Sequence, residues 1–161
     1  MTDFEALLRA LRVEGVDFIL VGGVAARAHG SARLTQDLDV VYRRTPENIA
    51  RLVRALAPHS PYLRGAPAGL PFRFDRKTVE AGLNFTLTTS LGDLDLLGEI
   101  VGGGGYDALV PRTLTLALFG MVCRCLDLDG LIHVKRAAGR PKDLEVIAEL
   151  EALKEERGRP R

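Results

Sequence analysis

Hydrophobic positions along this chain switch repeatedly between helical spacing and short continuous or alternating runs. Phe4, Leu7, Leu8 and Leu11 fall on one helical face across 3–14, and the run from Val16 to Val21, with its β-branched members, predicts a buried strand. Gly22-Gly23 interrupts that run, Val24 to Gly30 reads as a short helix of small residues closed by glycine, and Leu38 to Tyr42 predicts a second strand. Thr45-Pro46-Glu47-Asn48 opens the next helix with a capping hydroxyl and a proline in its first turn. Ile49, Leu52, Val53 and Leu56 form its apolar face, and Pro58 ends it.

The second half carries the same alternation after an irregular middle. Residues 58–71 hold four prolines and two glycines among few apolar positions, which predicts a surface loop with freedom to move. Phe72-Arg73-Phe74 alternates, 76–81 suits a short helix, and Leu83 to Thr88 alternates as a strand. The turn Ser90-Leu91-Gly92 sends the chain back as Asp93 to Leu97. Thr113 to Leu118 and Met121 to Leu126 flank a turn at Phe119-Gly120, and helices follow at about 128–138 and 141–154, with a polar, frayed tail over 155–161. The expected fold is α+β, a mixed sheet with helices packed on it, in a single domain over 1–154.

Composition narrows the function classes. The chain has 161 residues, 47% hydrophobic and 27% charged, enough for one real core. No apolar run approaches the ~20 residues of a membrane helix and the first residues lack a signal-peptide layout, so the expected location is the cytoplasm. A net charge of +1 gives no broad field for polyanions, so any nucleic-acid contact must be local. Cys123 and Cys125 alternate on one strand face; a disulfide there is geometrically poor, a zinc site lacks a second ligand pair, and reduced structural thiols are expected.

The chemistry lies in Val21-Gly22-Gly23-Val24 and in Asp37-Leu38-Asp39-Val40, which begins fourteen residues after Gly23. A strand that feeds two glycines into a helix start exposes backbone N–H groups and lets an anion come close. Asp37 and Asp39 share a strand face while Leu38 and Val40 point to the core. Paired carboxylates repel unless a cation lies between them, and oxygen ligands suit Mg²⁺ or Mn²⁺. A third carboxylate on a neighbouring strand, Asp93 or Asp95, would complete a two-ion site for phosphoryl displacement.

Gly22-Gly23, the spacer Ala28 to Thr35, and Asp37-Leu38-Asp39-Val40 resemble the signature of the DNA polymerase β-type nucleotidyltransferase superfamily. Within it the chain is most similar to small stand-alone prokaryotic members related to the abortive-infection AbiEii toxin group. The motifs cover roughly 15–100 and extend less specifically to Lys135-Arg136-Ala137-Ala138-Gly139-Arg140-Pro141-Lys142-Asp143. The resemblance implies a palm-type sheet, NTP as donor, and Mg²⁺ or Mn²⁺ on Asp37, Asp39 and Asp95, with Gly22 and Gly23 at the triphosphate. Asp95 fits the third position better than Asp93, which directly follows the turn glycine. Gly23 stands where many members carry serine, so the site would rely more on backbone donors.

Other residues keep two readings. Arg33 and Thr35 suit either a phosphate contact or a loop-holding role. His29 suits a substrate role or, more plainly, a bond to a carbonyl at a helix end. Lys135, Arg136, Arg140 and Lys142 make either a solvated basic corner or, as the resemblance implies, a source of cations for the triphosphate or an RNA acceptor, with Lys135 first and Lys142 second. The dinucleotide and P-loop patterns are absent, Asp127-Leu128-Asp129-Gly130 reads as a helix cap, and Gly102 to Gly105 reads as a flexible linker or hinge.

Three functions follow. The main expectation is transfer of NMP from NTP to a hydroxyl on RNA such as a tRNA end, on protein or on a small molecule such as an aminoglycoside, with pyrophosphate release, as a candidate toxin–antitoxin component with a small helical partner. The second is an inactive, antitoxin-like binding partner on the same fold. The third is a phosphohydrolase using the same metals on water.

Overall fold

The computed structural model describes residues 1–159, so the last two positions of the expected tail lie outside the described residues. The strands are β1 (Phe18–Val21), β2 (Asp37–Tyr42), β3 (Tyr62–Leu63), β4 (Phe85–Thr89), β5 (Gly92–Leu97), β6 (Thr113–Leu118) and β7 (Met121–Leu126). They form one mixed sheet in the order β3-β4-β5-β2-β1-β7-β6. The helices are α1 (Phe4–Val13), α2 (Gly22–Ala28), α3 (Pro46–Leu56), α4 (Arg76–Ala81), α5 (Tyr106–Leu109), α6 (Leu128–Ala138) and α7 (Pro141–Arg157). The expected α+β class, with helices at the C-terminal end, is what is found.

Local chemistry starts the helices where the sequence predicts. Side chains of Asp3, Thr45, Asp75 and Asp127 accept N–H groups in the first turns of α1, α3, α4 and α6. Gly139, at φ +66°, closes α6 in the left-handed region. Buried Asn48 ties α3 to the sheet, accepting from the Asp17 N–H at 2.6 Å and donating to the carbonyls of Asp17 and Arg43. Leu7, Leu8, Leu11, Ile49, Leu52 and Leu56 are fully or almost fully buried, so the two amphipathic faces read from the sequence are the ones that pack.

Strand pairing positions the chemistry. β2 runs antiparallel to β1, with Val21 opposite Asp39, and parallel to β5, with Asp37 opposite Asp93 and Asp39 opposite Asp95. Leu38, Val40, Leu94 and Leu96 are all fully buried, which anchors the alternate positions and leaves the four aspartates together on the other face. A slip of one residue would bury carboxylates and expose leucines, so the core itself fixes the register of the acidic face.

Several boundaries and one element differ from expectation. The proline-rich segment is not wholly a loop: Ala57–His59 forms a 3₁₀ turn, and β3 pairs with β4 as an edge strand. A strand this short, flanked by prolines that an edge tolerates, leaves no periodicity to read. Phe72 and Phe74 lie outside any strand and pack edge-to-face on Tyr62 and Phe85 at 6.1 and 6.2 Å. Gly102 to Gly105 is folded by the isolated bridge Ile100–Gly104, and a β-carbon on Gly102 would lie 2.3 Å from Ala137 Cβ. α7 continues to Arg157, whose guanidinium bonds His29 Nδ1 and the His29 carbonyl at 3.0 Å each.

Candidate active site

The glycines of the turn are required by what lies against them. Gly22 opens α2 directly, two residues before the expected helix start, at φ +66°. A β-carbon there would lie 2.1 Å from Asp39 Oδ2, so any side chain would drive into the carboxylate. Gly23 faces Thr35: a β-carbon would stand 2.6 Å from Thr35 Oγ1 and 2.7 Å from Thr35 Cβ. The space a serine would need at position 23 is therefore filled from the other side of the loop by a threonine, and a hydroxyl is still present beside the turn. Thr35 is oriented by donating to the Asp37 carbonyl at 3.2 Å.

Asp37, Asp39 and Asp95 converge. Each can offer one carboxylate oxygen such that all of these atoms lie within 4.8 Å of one another. Asp93, two residues before Asp95 on the same face of β5, is opposite Asp37 in register. Burial, then the hydrogen bond with Asp95, then the charges of Asp37 and Asp95 push Asp39 up to about 8, while Lys135 pulls the other way. Burial and Asp95 raise Asp37 as well, opposed by Arg64. Asp95 Oδ1 is buried without a hydrogen bond. Crowded carboxylates form an all-oxygen donor set that fits Mg²⁺ or Mn²⁺.

Arg64, which the sequence pattern did not single out, reaches into this cluster from the residue after β3. Its guanidinium is 2.8 Å from Asp95 Oδ1, 3.5 Å from Asp93 Oδ1 and 3.8 Å from Asp37 Oδ2, and it donates to the Leu87 carbonyl at 2.7 Å. Its Nε is buried without a hydrogen bond. The only signal in the sequence was a lone arginine in a proline- and glycine-rich stretch.

The basic corner sits at the α6–α7 junction. Lys135 Nζ lies 3.4 Å from Asp143 Oδ1, and Arg140 grips the same carboxylate with Nε at 2.8 Å while its backbone N–H donates at 3.1 Å. Asp143 is 1% exposed, and Arg140 first, with Lys135 contributing, pulls its carboxyl down to about 2. The corner is thus organised by a buried acid. Lys142 is exposed in the first turn of α7. Arg33 pairs with Glu149 and Glu145 of α7 at 3.6 and 3.8 Å. His29 is buried and bonds the Leu126 carbonyl at 2.8 Å, a strand carbonyl rather than one of its own helix. Cys123 and Cys125 are buried and unpaired, and burial pushes the Cys125 thiol up to about 12.

At the level of sequence, no family model and no curated protein matches the chain. Solved structures do match in fold. TM1012 of Thermotoga maritima, a protein assigned to the nucleotidyltransferases, superposes with TM-score 0.57 at 15% identity over 92% of this chain and 94% of its own. The lincosamide antibiotic adenylyltransferase LnuA, solved with lincomycin bound, gives 0.59 at 12% over 94% and 98%. ANT(2")-Ia in complex with adenylyl-2"-tobramycin gives 0.55 at 15% over 92% and 91%.

Proposed function

The chain has the fold of known nucleotidyltransferases, and we propose that it is a divalent-metal-dependent nucleotidyltransferase, moving NMP from an NTP to an acceptor hydroxyl with release of pyrophosphate. The observation that carries this reading is the convergence of Asp37, Asp39 and Asp95 beside the Gly22-Gly23 turn. Mg²⁺ or Mn²⁺ held there would offset the charge that develops on the phosphate and leaving-group oxygens. Asp37 and Asp39 would hold the metal together with Asp95. Asp95, across from Asp39, would also accept the acceptor's proton as the new O–P bond forms and the bond to pyrophosphate breaks. Backbone N–H groups of Gly22 and Gly23, with the Thr35 hydroxyl, would line the triphosphate; Lys135, held by Asp143, and the exposed Lys142 would supply positive charge, and Arg33 would do so only by leaving Glu149 and Glu145.

Two of the structures alike in fold carry small antibiotics or their adenylylated product, so small-molecule hydroxyls are the first acceptors to try, ahead of RNA and protein. The resemblance to the AbiEii toxin group adds a small helical partner protein as the companion to seek. The test is incubation with each of four labelled NTPs, Mg²⁺ or Mn²⁺, and an acceptor panel. Transfer with pyrophosphate release in wild type and its loss in Asp39→Asn supports the reading. Absence of transfer in both counts against it, and free phosphate instead indicates a hydrolase.

One observation favours a second reading, a partner protein on the same fold without turnover. Arg64 already supplies a cation to the cluster. On that reading, NTP and metal bind to neither wild type nor variants, and a stable protein co-purifies instead.

A further inference from the structure

The acidic cluster is flanked by two cations that differ in what else holds them. Lys135, on α6, is tied to the buried carboxylate of Asp143, so it keeps a partner whatever happens at Asp39. Arg64 has no such alternative: its ion-pair partners among the described residues are Asp37, Asp93 and Asp95, and its one neutral partner is the Leu87 carbonyl. Its hold is imperfect, since Arg64 Nε and Asp95 Oδ1 are both buried without a hydrogen bond. Its backbone N–H donates to the Thr86 carbonyl at 3.0 Å, so the main chain is held against β4 while the side chain reaches the carboxylates. Arg64 follows the two-residue strand β3 and precedes Gly65, at φ +79°, in a segment that returns to regular structure only at Arg76.

We propose that Arg64 is the resident counterion of the carboxylate cluster, and that a divalent cation competes with it for Asp37 and Asp95. The inference rests on the metal-site reading given above. The guanidinium lowers the repulsion among carboxylates that strand register forces together. A divalent ion on Asp95 Oδ1 would face a positive charge now 2.8 Å from that atom, so its binding requires Arg64 to withdraw. Withdrawal breaks the pairs with Asp37 and Asp95, whose carboxylates the incoming ion then neutralises, together with the 3.5 Å contact to Asp93 and one hydrogen bond to Leu87. Arg64 thereby sets the affinity of the site for metal and couples metal entry to the segment 64–71.

Mn²⁺ binding measured by electron paramagnetic resonance on the full chain, without nucleotide, tests this. Arg64→Gln is expected to bind Mn²⁺ at least about tenfold more tightly than wild type, because a competing cation is gone. Arg64→Lys, which keeps the charge but loses the forked reach to three carboxylates, is expected to lie between them and serves if the glutamine variant does not fold. A purely structural role for Arg64 would move affinity the other way. Equal or weaker Mn²⁺ binding in the variants, with wild type binding normally, overturns the competition and leaves the metal site standing. Binding in none of the three proteins overturns both.

Discussion

Asp39 and Asp143 are both carboxylates withdrawn from water, and they are pushed in opposite directions. Asp39 stands among other acids and is driven up to about 8; Asp143 stands between Arg140 and Lys135 and is drawn down to about 2. For Asp143, the folded value below the reference of 3.8 means a stabilising contribution that is present above that pH and lost as pH falls towards 2. For Asp39, the folded form holds a proton that the unfolded chain releases near 3.8, so stability falls as pH rises from there to about 8. One carboxylate supports the fold and the other strains it. That contrast separates a structural anchor from a carboxylate cluster with the chemistry a cation would relieve.

Removing the charge of Asp39 should give the largest effect and split function from stability. Asp39→Asn is expected to lower nucleotidyl transfer by about a thousandfold or more, while raising thermal stability of the metal-free protein by on the order of 1–2 kcal/mol. The gain should be larger at pH 8 than at pH 5, because the cost of a carboxyl that holds its proton in the folded state and releases it in the unfolded one grows as pH rises from 3.8 to about 8. Parallel activity assays and thermal melts check both halves; a loss of stability at pH 8 would break the contrast.

Gly22→Ala should cost nearly as much for a different reason. Its β-carbon would strike Asp39 Oδ2 at a backbone angle that disfavours side chains, so we expect loss of metal-dependent NTP binding and a destabilisation of about 1–3 kcal/mol. Calorimetric titration and denaturant melts are the readouts. At the opposite corner, Asp143→Asn should lose stability at neutral pH, by about 1–3 kcal/mol, and weaken NTP binding through a displaced Lys135. Its stability should match wild type more closely near pH 2–3, where the native carboxylate is itself being protonated.

The smallest effect is a rescue. Gly23→Ser alone should impair folding and NTP binding, because its β-carbon meets both Oγ1 and Cβ of Thr35; Gly23→Ser with Thr35→Gly, which removes both atoms, should recover most of both. Additive losses in the double variant would refute the claim that the two positions share one space.

Much of this contrast was legible before any coordinates. The two-residue period placed Asp37 with Asp39 and Asp93 with Asp95 because Leu38, Val40, Leu94 and Leu96 had to be buried. Gly22-Gly23 announced a close approach, although not that the atoms approached belong to Asp39 and Thr35. Arg64 was hidden because its place depends on β3 pairing with β4 across more than twenty residues, inside a segment with no periodic pattern. Asp143 was visible only as one letter in a basic run; its burial depends on how α7 folds back on α6. The proline-rich stretch misled for the same reason, since turn residues report local flexibility and not the edge of a sheet they complete.

Asp37, Asp39 and Asp95 are expected to form a cation-dependent NTP site. Calorimetric titration of the wild-type chain with each of the four NTPs, with and without Mg²⁺, tests it most directly. The account predicts binding of at least one NTP that requires Mg²⁺, releases protons near neutral pH as Asp39 ionises, and disappears in Asp37→Asn. Nucleotide binding that is indifferent to Mg²⁺ and to Asp37→Asn, or no binding by any of the four, would contradict it.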